Sequence, residues 1–199
     1  MAEDQGTRER LLDAAIALIE AEGESAVRVG RVVEVAGFTK PVLYHHFADK
    51  DAVIVQAQAE RYRRSLEWAN TGFSAAMNGV RSREEFGARL AVSIAGFSTD
   101  ESRHQRRIRN EVLGSSVSRP DLQDAVARAN RVFISWVALE IDRWKENGWI
   151  ETRYSSHELA EWWAVQIHGR HFVEVDSNIR DDREWIAITM STVRHLLGL

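Results

Sequence analysis

The sequence predicts an all-α protein, and two observations lead to that fold class. Only two prolines, Pro41 and Pro120, interrupt the 199 residues, so long helices are permitted almost throughout. Apolar residues recur at the three- and four-residue spacing of helices, whereas no stretch shows the alternation of a convincing strand. We expect about nine or ten helices, divided between an N-terminal domain (1–50) and a C-terminal helical bundle (51–199).

The composition bounds the function as well as the fold. A hydrophobic fraction of 44% is enough for a substantial core, no apolar run approaches the roughly 20 residues that span a membrane, and the polar N-terminus does not resemble a signal peptide. The lack of cysteine excludes disulfides and thiolate metal sites, and no glycine-rich phosphate loop or nucleophile elbow indicates an enzyme. We therefore expect a cytoplasmic protein with no catalytic site, metal or cofactor.

The sequence pattern of the N-terminal residues predicts a scaffold helix followed by two shorter helices. Thr7 can cap the first helix, whose amphipathic stripe continues to a stop at Gly23. Gly37 ends the second helix, because glycine readily adopts the positive φ that follows a helix. Thr39 then stands as the N-cap of the third helix, where its hydroxyl can accept an amide hydrogen bond.

The third helix, residues 40–47, is unusual in the groups that it turns outward. Leu43 and Phe47 lie one turn apart and form a single inward face. The outward positions carry cationic, aromatic and methyl-bearing side chains: Lys40, Pro41, Val42, Tyr44 and His45. A short rigid helix that displays such groups suits the major groove of double-stranded DNA. The chain then restarts as a new helix, with Asp49 as its N-cap.

Residues 7–53 resemble the N-terminal DNA-binding domain of the tetracycline-repressor (TetR) family. The matching residues form one short string: Ala36-Gly37, Thr39-Lys40-Pro41, Leu43-Tyr44, Phe47 and Lys50 with Asp51. The rest of the chain matches the family only in length and helical character. The resemblance implies a homodimeric regulator, most often a repressor, that sets two such helices on a palindromic operator and responds to a small-molecule effector.

The expected DNA contacts follow from side-chain chemistry. Lys40 can donate to a guanine or a phosphate, and the methyl-bearing residues can contact a thymine methyl. Arg28 departs from the family pattern, in which a Thr or Ser usually caps the second helix, and we expect it to contact phosphate. The net charge is −4, so binding cannot rest on bulk charge. The expected DNA-binding residues are Arg28, Thr39, Lys40, Pro41, Val42, Tyr44, His45, His46 and Lys50.

The C-terminal part is predicted as a series of longer helices. The helix that starts at Asp49 is expected to end near Ala69, before a loop at 70–81 that contains two glycines and two asparagines. Pro120 opens a long helix that continues to Asn147. Capping residues, each with a glutamate three positions later, open the other helices: Ser82, Ser98, Ser155 and Asp181.

Large aromatic residues are abundant on the inward faces of these helices. The chain has seven tryptophans, more than a small bundle needs, and bundles commonly bind ligands between their helices. Ordinary core packing is the alternative for each residue taken singly. We expect an apolar or aromatic effector, with Arg107, Asn110 and His168 as the leading polar contacts for a carboxylate or carbonyl. The expected ligand-binding residues are Trp68, Phe97, His104, Arg107, Ile108, Asn110, Val112, Phe133, Trp136, Trp163, Gln166, His168 and Phe172.

Two C-terminal segments, 157–175 and 183–197, are apolar around more than one face, which is typical of helices buried on two sides. Gly169 lies in mid-helix, where a close helix crossing would explain it. We expect these helices to pair with their symmetry mates in a four-helix dimer interface, and an intramolecular core is the alternative. The expected interface residues are Trp162, Gly169, Val173, Trp185, Thr189, Val193 and Leu196.

Two other functions stay open at this point. An architectural DNA-binding protein would show weak sequence preference and no ligand cavity. A helical enzyme would need a convergent polar constellation in its pocket. His168, His171 and Glu174 can share a helical face and offer ligands to zinc, but hydrogen bonding at an interface is the favoured interpretation.

Overall fold

A computed structural model describes residues 2–176 and 182–199, and within these residues helices are the only extended regular elements, which confirms the all-α prediction. The helices are α1 (Ala2–Glu22), α2 (Val29–Ala36), α3 (Lys40–His46), α4 (Lys50–Met77), α5 (Arg83–Ala95), α6 (Asp100–Ser116), α7 (Pro120–Glu146), α8 (Ser156–Gly169), α9 (His171–Glu174) and α10 (Arg183–Leu197).

The chain packs as two compact units that do not follow its linear order. One unit combines Met1–Arg63 with Val112–Val126, and the other combines Arg64–Glu111 with Ala127–Leu199. Helices α4, α6 and α7 therefore each contribute residues to both units. The domain boundary at residue 50 stays a prediction, because these units are defined by packing alone.

The N-terminal unit has a core built on the apolar stripe of α1. Leu11 and Ala15 are fully buried there, together with Val32 of α2. Leu43 and Phe47 join the same core, so the inward face predicted for the third helix is confirmed. Since a helix of seven residues has little stability of its own in water, this burial keeps α3 folded.

The turn between α2 and α3 is a Schellman motif centred on Gly37. Its φ is 72°, in the left-handed region, as the sequence predicts. The amide of Gly37 donates to the carbonyl of Glu34 at 3.2 Å, and the amide of Phe38 donates to the carbonyl of Val33 at 2.8 Å. These two bonds satisfy carbonyls at the end of α2 and fix the direction in which α3 departs.

The predicted caps are partly confirmed. The Asp49 carboxylate accepts the Ala52 amide at 2.8 Å, and the Ser82 and Ser155 hydroxyls accept the amides three residues later. Thr39 occupies the N-cap position of α3, but its side chain makes no capping hydrogen bond. The cap of α6 is Thr99 rather than Ser98, since the Thr99 hydroxyl accepts the Ser102 amide at 3.2 Å.

The predicted helix bounds differ from those in the structure at three places. Helix α1 begins at Ala2, so Thr7 lies within it and is not its N-cap. Helix α4 continues through the predicted loop to Met77, because Phe73 packs against Trp136 and Trp144 and this contact outweighs the weak helix propensity of the segment. The segment 157–175 is divided into α8 and α9 at Gly169 and Arg170. Asp181, the predicted cap of the last helix, lies outside the described residues.

Substituting Gly37 tests the turn. Gly37→Ala puts a side chain at φ 72° and is expected to lower the free energy of unfolding by about 1–2 kcal/mol, measured by urea denaturation. Gly30→Ala is the matched control, because Gly30 lies in α2 and a Cβ added there meets nothing within 4 Å. Both substitutions reduce the conformational entropy of the unfolded chain by the same amount. A Gly37→Ala protein as stable as Gly30→Ala would contradict the role given to the turn.

Candidate nucleic-acid interface and ligand cavity

Helix α3 presents most of its predicted DNA-binding residues to solvent. Lys40, Pro41 and His45 are exposed, and Tyr44 has 53% of its surface accessible. Val42 is half-buried against the core. Lys40 makes no ion pair among the described residues, so its ammonium group is available to DNA. The outward face of α3 is thus a free surface of mixed cationic and aromatic character.

His46 differs from its neighbours on α3. Its side chain is only 7% exposed, and its Nε2 lies 3.6 Å from a carboxylate oxygen of Asp4. The His45 ring, by contrast, is 73% exposed and packs edge-on against His46 at a centroid distance of 5.1 Å. A DNA contact by the His46 side chain stays a prediction, and in this arrangement little of its surface is available.

The flanks of α3 place three further predicted residues at the surface. Arg28 occupies the N-cap position of α2, Thr39 precedes α3, and Lys50 begins α4; all three are exposed. Arg31, also on α2, is held in a bidentate ion pair with Glu22 at 2.6 and 2.8 Å. Arg28 and Lys50 have no such partner among the residues that the structure describes, so they are better placed than Arg31 to bind phosphates.

Two arginines of α1 brace both ends of α3. The Arg10 guanidinium donates to the carbonyl of Ala36 at 2.9 Å and lies 4.5 Å from the centroid of the Phe38 ring. The Arg8 guanidinium lies 5.6 Å from the centroid of the Phe47 ring. Because Phe38 precedes α3 and Phe47 follows it, these cation–π contacts hold the helix against the scaffold from both sides.

The C-terminal unit contains a cavity of about 70 Å³, measured as the space open to the centre of a water molecule. One water needs roughly 10–15 Å³ on this measure, so the cavity has room for a small organic molecule. Its walls come from α4, α5, α7, α8, α10 and the turn after α5. The lining residues are Ala69, Asn70, Phe73, Leu90, Phe97, Phe133, Trp136, Val137, Glu140, Ile141, Trp144, Leu159, Trp162, Trp163, Ile167, Val193, Leu196 and Leu197.

Aromatic rings in two groups form much of the cavity wall. Phe73 meets Trp136 edge-on at 6.3 Å between ring centroids and Trp144 at 5.7 Å. On α8, Trp163 lies 5.6 Å from Phe97 and 6.4 Å from Trp162. Rings in tilted and edge-to-face pairs pack favourably and leave some of their faces to line a slot.

The polar groups of the cavity are few and were not predicted from the sequence. Asn70 and Glu140 are the only polar or charged residues in its lining, within the part of the chain that the structure describes. The side-chain oxygen of Asn70 is buried and accepts no hydrogen bond from the described residues. The sequence did carry a signal for Glu140, because it interrupts the apolar stripe of α7 that runs from Phe133 through Trp136 to Trp144.

Four predicted ligand-binding residues come together in the cavity lining: Phe97, Phe133, Trp136 and Trp163. The other nine do not line it: Trp68, His104, Arg107, Ile108, Asn110, Val112, Gln166, His168 and Phe172. Trp68 and Phe172 face solvent, with 41% and 86% of their surfaces exposed, while Ile108 and Val112 are buried in packing. Their roles in ligand binding stay predictions that the observed cavity does not support.

The polar residues predicted to orient the ligand are engaged elsewhere. The Arg107 guanidinium contacts the His104 ring at 3.0 Å, and the Asn110 amide donates to the carbonyl of Arg106 one turn earlier. Burial, reinforced by the nearby Arg109 and Arg106, lowers the pKa of His168 to about 3. His168 is therefore neutral near neutral pH and offers no positive charge to a carboxylate.

The predicted dimer residues are divided between the cavity and the surface. Trp162, Val193 and Leu196 line the cavity, and Val193 is only 3% exposed, which leaves almost none of it for a second chain. Gly169 and Val173 are exposed. Trp185 is partly buried, and the Arg170 guanidinium lies 4.6 Å from the centroid of its ring. Thr189 is also partly buried.

Glu174, one of the three residues of the alternative zinc arrangement, takes part in an ion pair. Glu174 accepts a hydrogen bond from Arg106 Nε at 2.8 Å, and both side chains are almost fully buried. Among the described residues no group of histidines and acidic residues is placed to hold a metal ion.

Comparison with known proteins agrees with this geometry. Residues 11–57 match the family profile described as bacterial regulatory proteins, tetR family. No curated protein has a matching sequence. Among solved structures, a TetR-family transcriptional regulator from Rhodococcus sp. is 23% identical, with a TM-score of 0.70 over 99% of this chain and 100% of the other.

Two further structures share the fold. A transcriptional regulator from Saccharomonospora viridis, solved in complex with choline, is 18% identical, with a TM-score of 0.65 over 96% of both chains. The reduced form of NemR from Escherichia coli is 17% identical, with a TM-score of 0.66 over 96% of this chain and 97% of that one.

The braced helix-turn-helix followed by an all-helical second unit is the architecture found in DNA-binding transcriptional regulators. Residues 11–57 match the DNA-binding domain of the tetR family, and the chain as a whole shares its fold with solved regulators of that family. None of the helices that the structure describes has the length and hydrophobicity of a membrane span.

Two lysine substitutions separate base contacts from phosphate contacts. Lys50→Ala is expected to weaken binding to all DNA sequences alike and to lower the salt slope by about one unit, because it removes one phosphate contact. Lys40→Ala is expected to relax preference at one operator position, by about 1–3 kcal/mol. Fluorescence anisotropy over a series of operator variants and salt concentrations measures the affinity, the sequence preference and the salt slope of each variant. If Lys50→Ala and Lys40→Ala lose sequence preference in the same way, the phosphate and base roles are misassigned.

Proposed function

We propose that this protein is a ligand-responsive repressor that acts in the cytoplasm. It binds a palindromic operator as a homodimer through α3 and is released when a small molecule occupies the cavity of the C-terminal unit. The single observation that carries the proposal is the aromatic cavity, since an architectural DNA-binding protein has no use for one. An effector needs only to prefer the conformation that cannot bind DNA.

Helix α7 supports coupling between the two functions. Residues 120–126 of this helix pack with the N-terminal unit, and the following turns supply Phe133, Trp136 and Trp144 to the cavity wall. A ligand that shifts these turns acts on a helix whose first residues belong to the DNA-binding unit. Shifts of single helices are common in allosteric switches.

A polar cluster ties the start of α7 to the DNA-binding unit. The Arg119 guanidinium donates to the Glu24 carboxylate at 3.0 Å and lies 3.7 Å from Asp51. Ser115 and Gln58 also donate to Glu24, at 3.0 and 2.9 Å. Burial raises the pKa of Glu24, but these hydrogen bonds outweigh it and leave the pKa below its usual value. Through this charged cluster, movement of α7 reaches α4.

The surface of the C-terminal unit supports a homodimer. Val165, Phe172, Val175 and Ile188 expose between 65% and 86% of their surfaces on or beside α8, α9 and α10. Several large apolar side chains exposed on neighbouring helices are typical of an interaction surface. A dimer formed there presents two copies of α3 and explains a palindromic operator.

The structures with the same fold are consistent with a small-molecule effector. The Saccharomonospora viridis regulator was solved with choline bound. A fold of this kind therefore accommodates small organic molecules. We infer that the cavity of the present chain serves such a purpose.

Release from DNA tests the proposal. The full-length protein is bound to fluorescent DNA that flanks its own gene, and phenol, benzoate and phenyltrimethylammonium are added in turn. At least one aromatic probe is expected to weaken operator binding by about tenfold or more, within the usual range of allosteric coupling. Trp136→Ala is expected to abolish that effect while leaving operator affinity in the absence of probe nearly unchanged.

Trp68→Ala provides the matched control for this experiment. Trp68 belongs to the same unit but does not line the cavity, so its removal is expected to leave the release intact. Equal behaviour of the two variants, or DNA binding that no probe affects, would count against ligand control through the cavity.

Gly169→Leu tests the dimer. Nothing in the described part of the chain lies within 4 Å of a Cβ added at Gly169, so a larger side chain there has open space in the single chain. Sedimentation is expected to show a weaker dimer for Gly169→Leu. Gly72→Leu, another exposed helical glycine with open surroundings, is expected to leave the dimer unchanged. An intact Gly169→Leu dimer would remove Gly169 from the interface.

A further inference from the structure

We propose that the effector is a compact organic cation, such as a quaternary ammonium or a protonated amine with apolar substituents. This inference rests on the proposed function, because it names the class of ligand for the same cavity. It replaces the expectation of a carboxylate or carbonyl ligand held by Arg107, Asn110 and His168.

The charge of the cavity lining is the first observation. Among the described residues that line the cavity, Glu140 is the only charged one, and none is Lys, Arg or His. A carboxylate ligand would meet like charge and find no cation to pair with. A cation would bring opposite charge to a lining that is otherwise apolar apart from Asn70, where charge pairing is stronger than in water.

The position of Glu140 among aromatic rings is the second observation. On α7 it lies one turn after Trp136 and one turn before Trp144, so all three side chains share a face of the helix. The faces of indole rings carry negative electrostatic potential and attract weakly hydrated cations. A carboxylate between two tryptophans therefore combines charge pairing with cation–π contact.

The present partner of Glu140 is readily displaced. Arg143 donates to the Glu140 carboxylate at 2.6 Å, but its side chain is 65% exposed, whereas that of Glu140 is 17% exposed. An i,i+3 ion pair with a largely exposed arginine is weakened, because water and salt screen the guanidinium and its long side chain loses freedom. A ligand cation that enters from the cavity competes with Arg143 from the buried side.

Asn70 supplies the third observation. Asn70 lines the cavity, and its side-chain oxygen is buried and receives no hydrogen bond from the described residues. A buried acceptor of this kind favours a ligand that carries a donor or a positive charge. Glu140 and Asn70 thus point to the same ligand chemistry from two different helices, α7 and α4.

Direct binding measurements test the class of ligand without DNA. Phenyltrimethylammonium, the neutral isostere tert-butylbenzene and the anion benzoate are titrated into the full-length protein, and the quenching of tryptophan fluorescence is followed. The cation is expected to bind at least about tenfold more tightly than either of the others. In Glu140→Gln, which keeps the shape and removes the charge, that preference for the cation over the neutral isostere is expected to disappear.

Two variants of the same helix provide controls. Glu146→Gln removes an equal charge from an exposed position outside the cavity and is expected to retain the preference. Arg143→Gln removes the competing cation and is expected to tighten binding of phenyltrimethylammonium while leaving tert-butylbenzene unaffected. Thermal melts of each variant establish that it is folded.

The outcomes separate this inference from the proposed function. Equal binding of the neutral isostere, an unchanged preference in Glu140→Gln, or no binding of phenyltrimethylammonium at millimolar concentration would overturn the cationic class. If tert-butylbenzene or benzoate nevertheless binds and releases the protein from DNA, the protein is still a ligand-responsive regulator. Binding of the cation without any effect on DNA would support the site and contradict the proposed regulation.

Discussion

The DNA-binding surface depends on anchoring a helix that is too short to be stable alone. Helix α3 has seven residues, and one face of it must be buried if the other side chains are to point outward. Leu43 and Phe47 supply that anchor, the left-handed Gly37 sets its direction, and Arg8 and Arg10 brace its ends. Every outward side chain of α3 is held in place by these few contacts.

The second unit differs from the first in that its helices leave a cavity between them. Close packing normally fills a core, but tryptophan and phenylalanine rings are flat and rigid, and tilted pairs of them leave slots that aliphatic side chains would close. Helix α7 connects this cavity to the DNA-binding unit through the chain itself. Its apolar stripe lines part of the cavity wall. Arg119, just before its first residue, donates to Glu24 of the N-terminal unit.

The sequence predicted the DNA-binding unit well because its determinants are local. Gly37, Leu43, Phe47 and Asp49 each act within a few residues of their position, so their spacing is enough to locate the turn, the buried face and a cap. The Thr39 cap was the exception, because a backbone position alone does not decide whether the hydroxyl makes its bond.

The ligand cavity was harder to predict because it depends on which helices meet. Inward-facing aromatics were identified, yet nothing in the sequence distinguishes Trp136, in the cavity wall, from Trp68, which faces solvent. Val193 and Leu196 were assigned to the dimer for the same reason, since helical periodicity shows that a face is covered but not by what. Helix α4 also continued past its weak helix formers because the packing of Phe73 favoured it.

Selection of binding sites from random double-stranded DNA by the full-length protein tests the central claim most directly. If paired copies of α3 read the major groove, the selected sequences are expected to converge on two inverted half-sites at a fixed spacing. The distance between the two copies of α3 in the dimer sets that spacing, as a number of turns of the DNA helix. Convergence on a single asymmetric element, or no enrichment beyond general affinity for DNA, would contradict recognition by a symmetric pair of α3 helices.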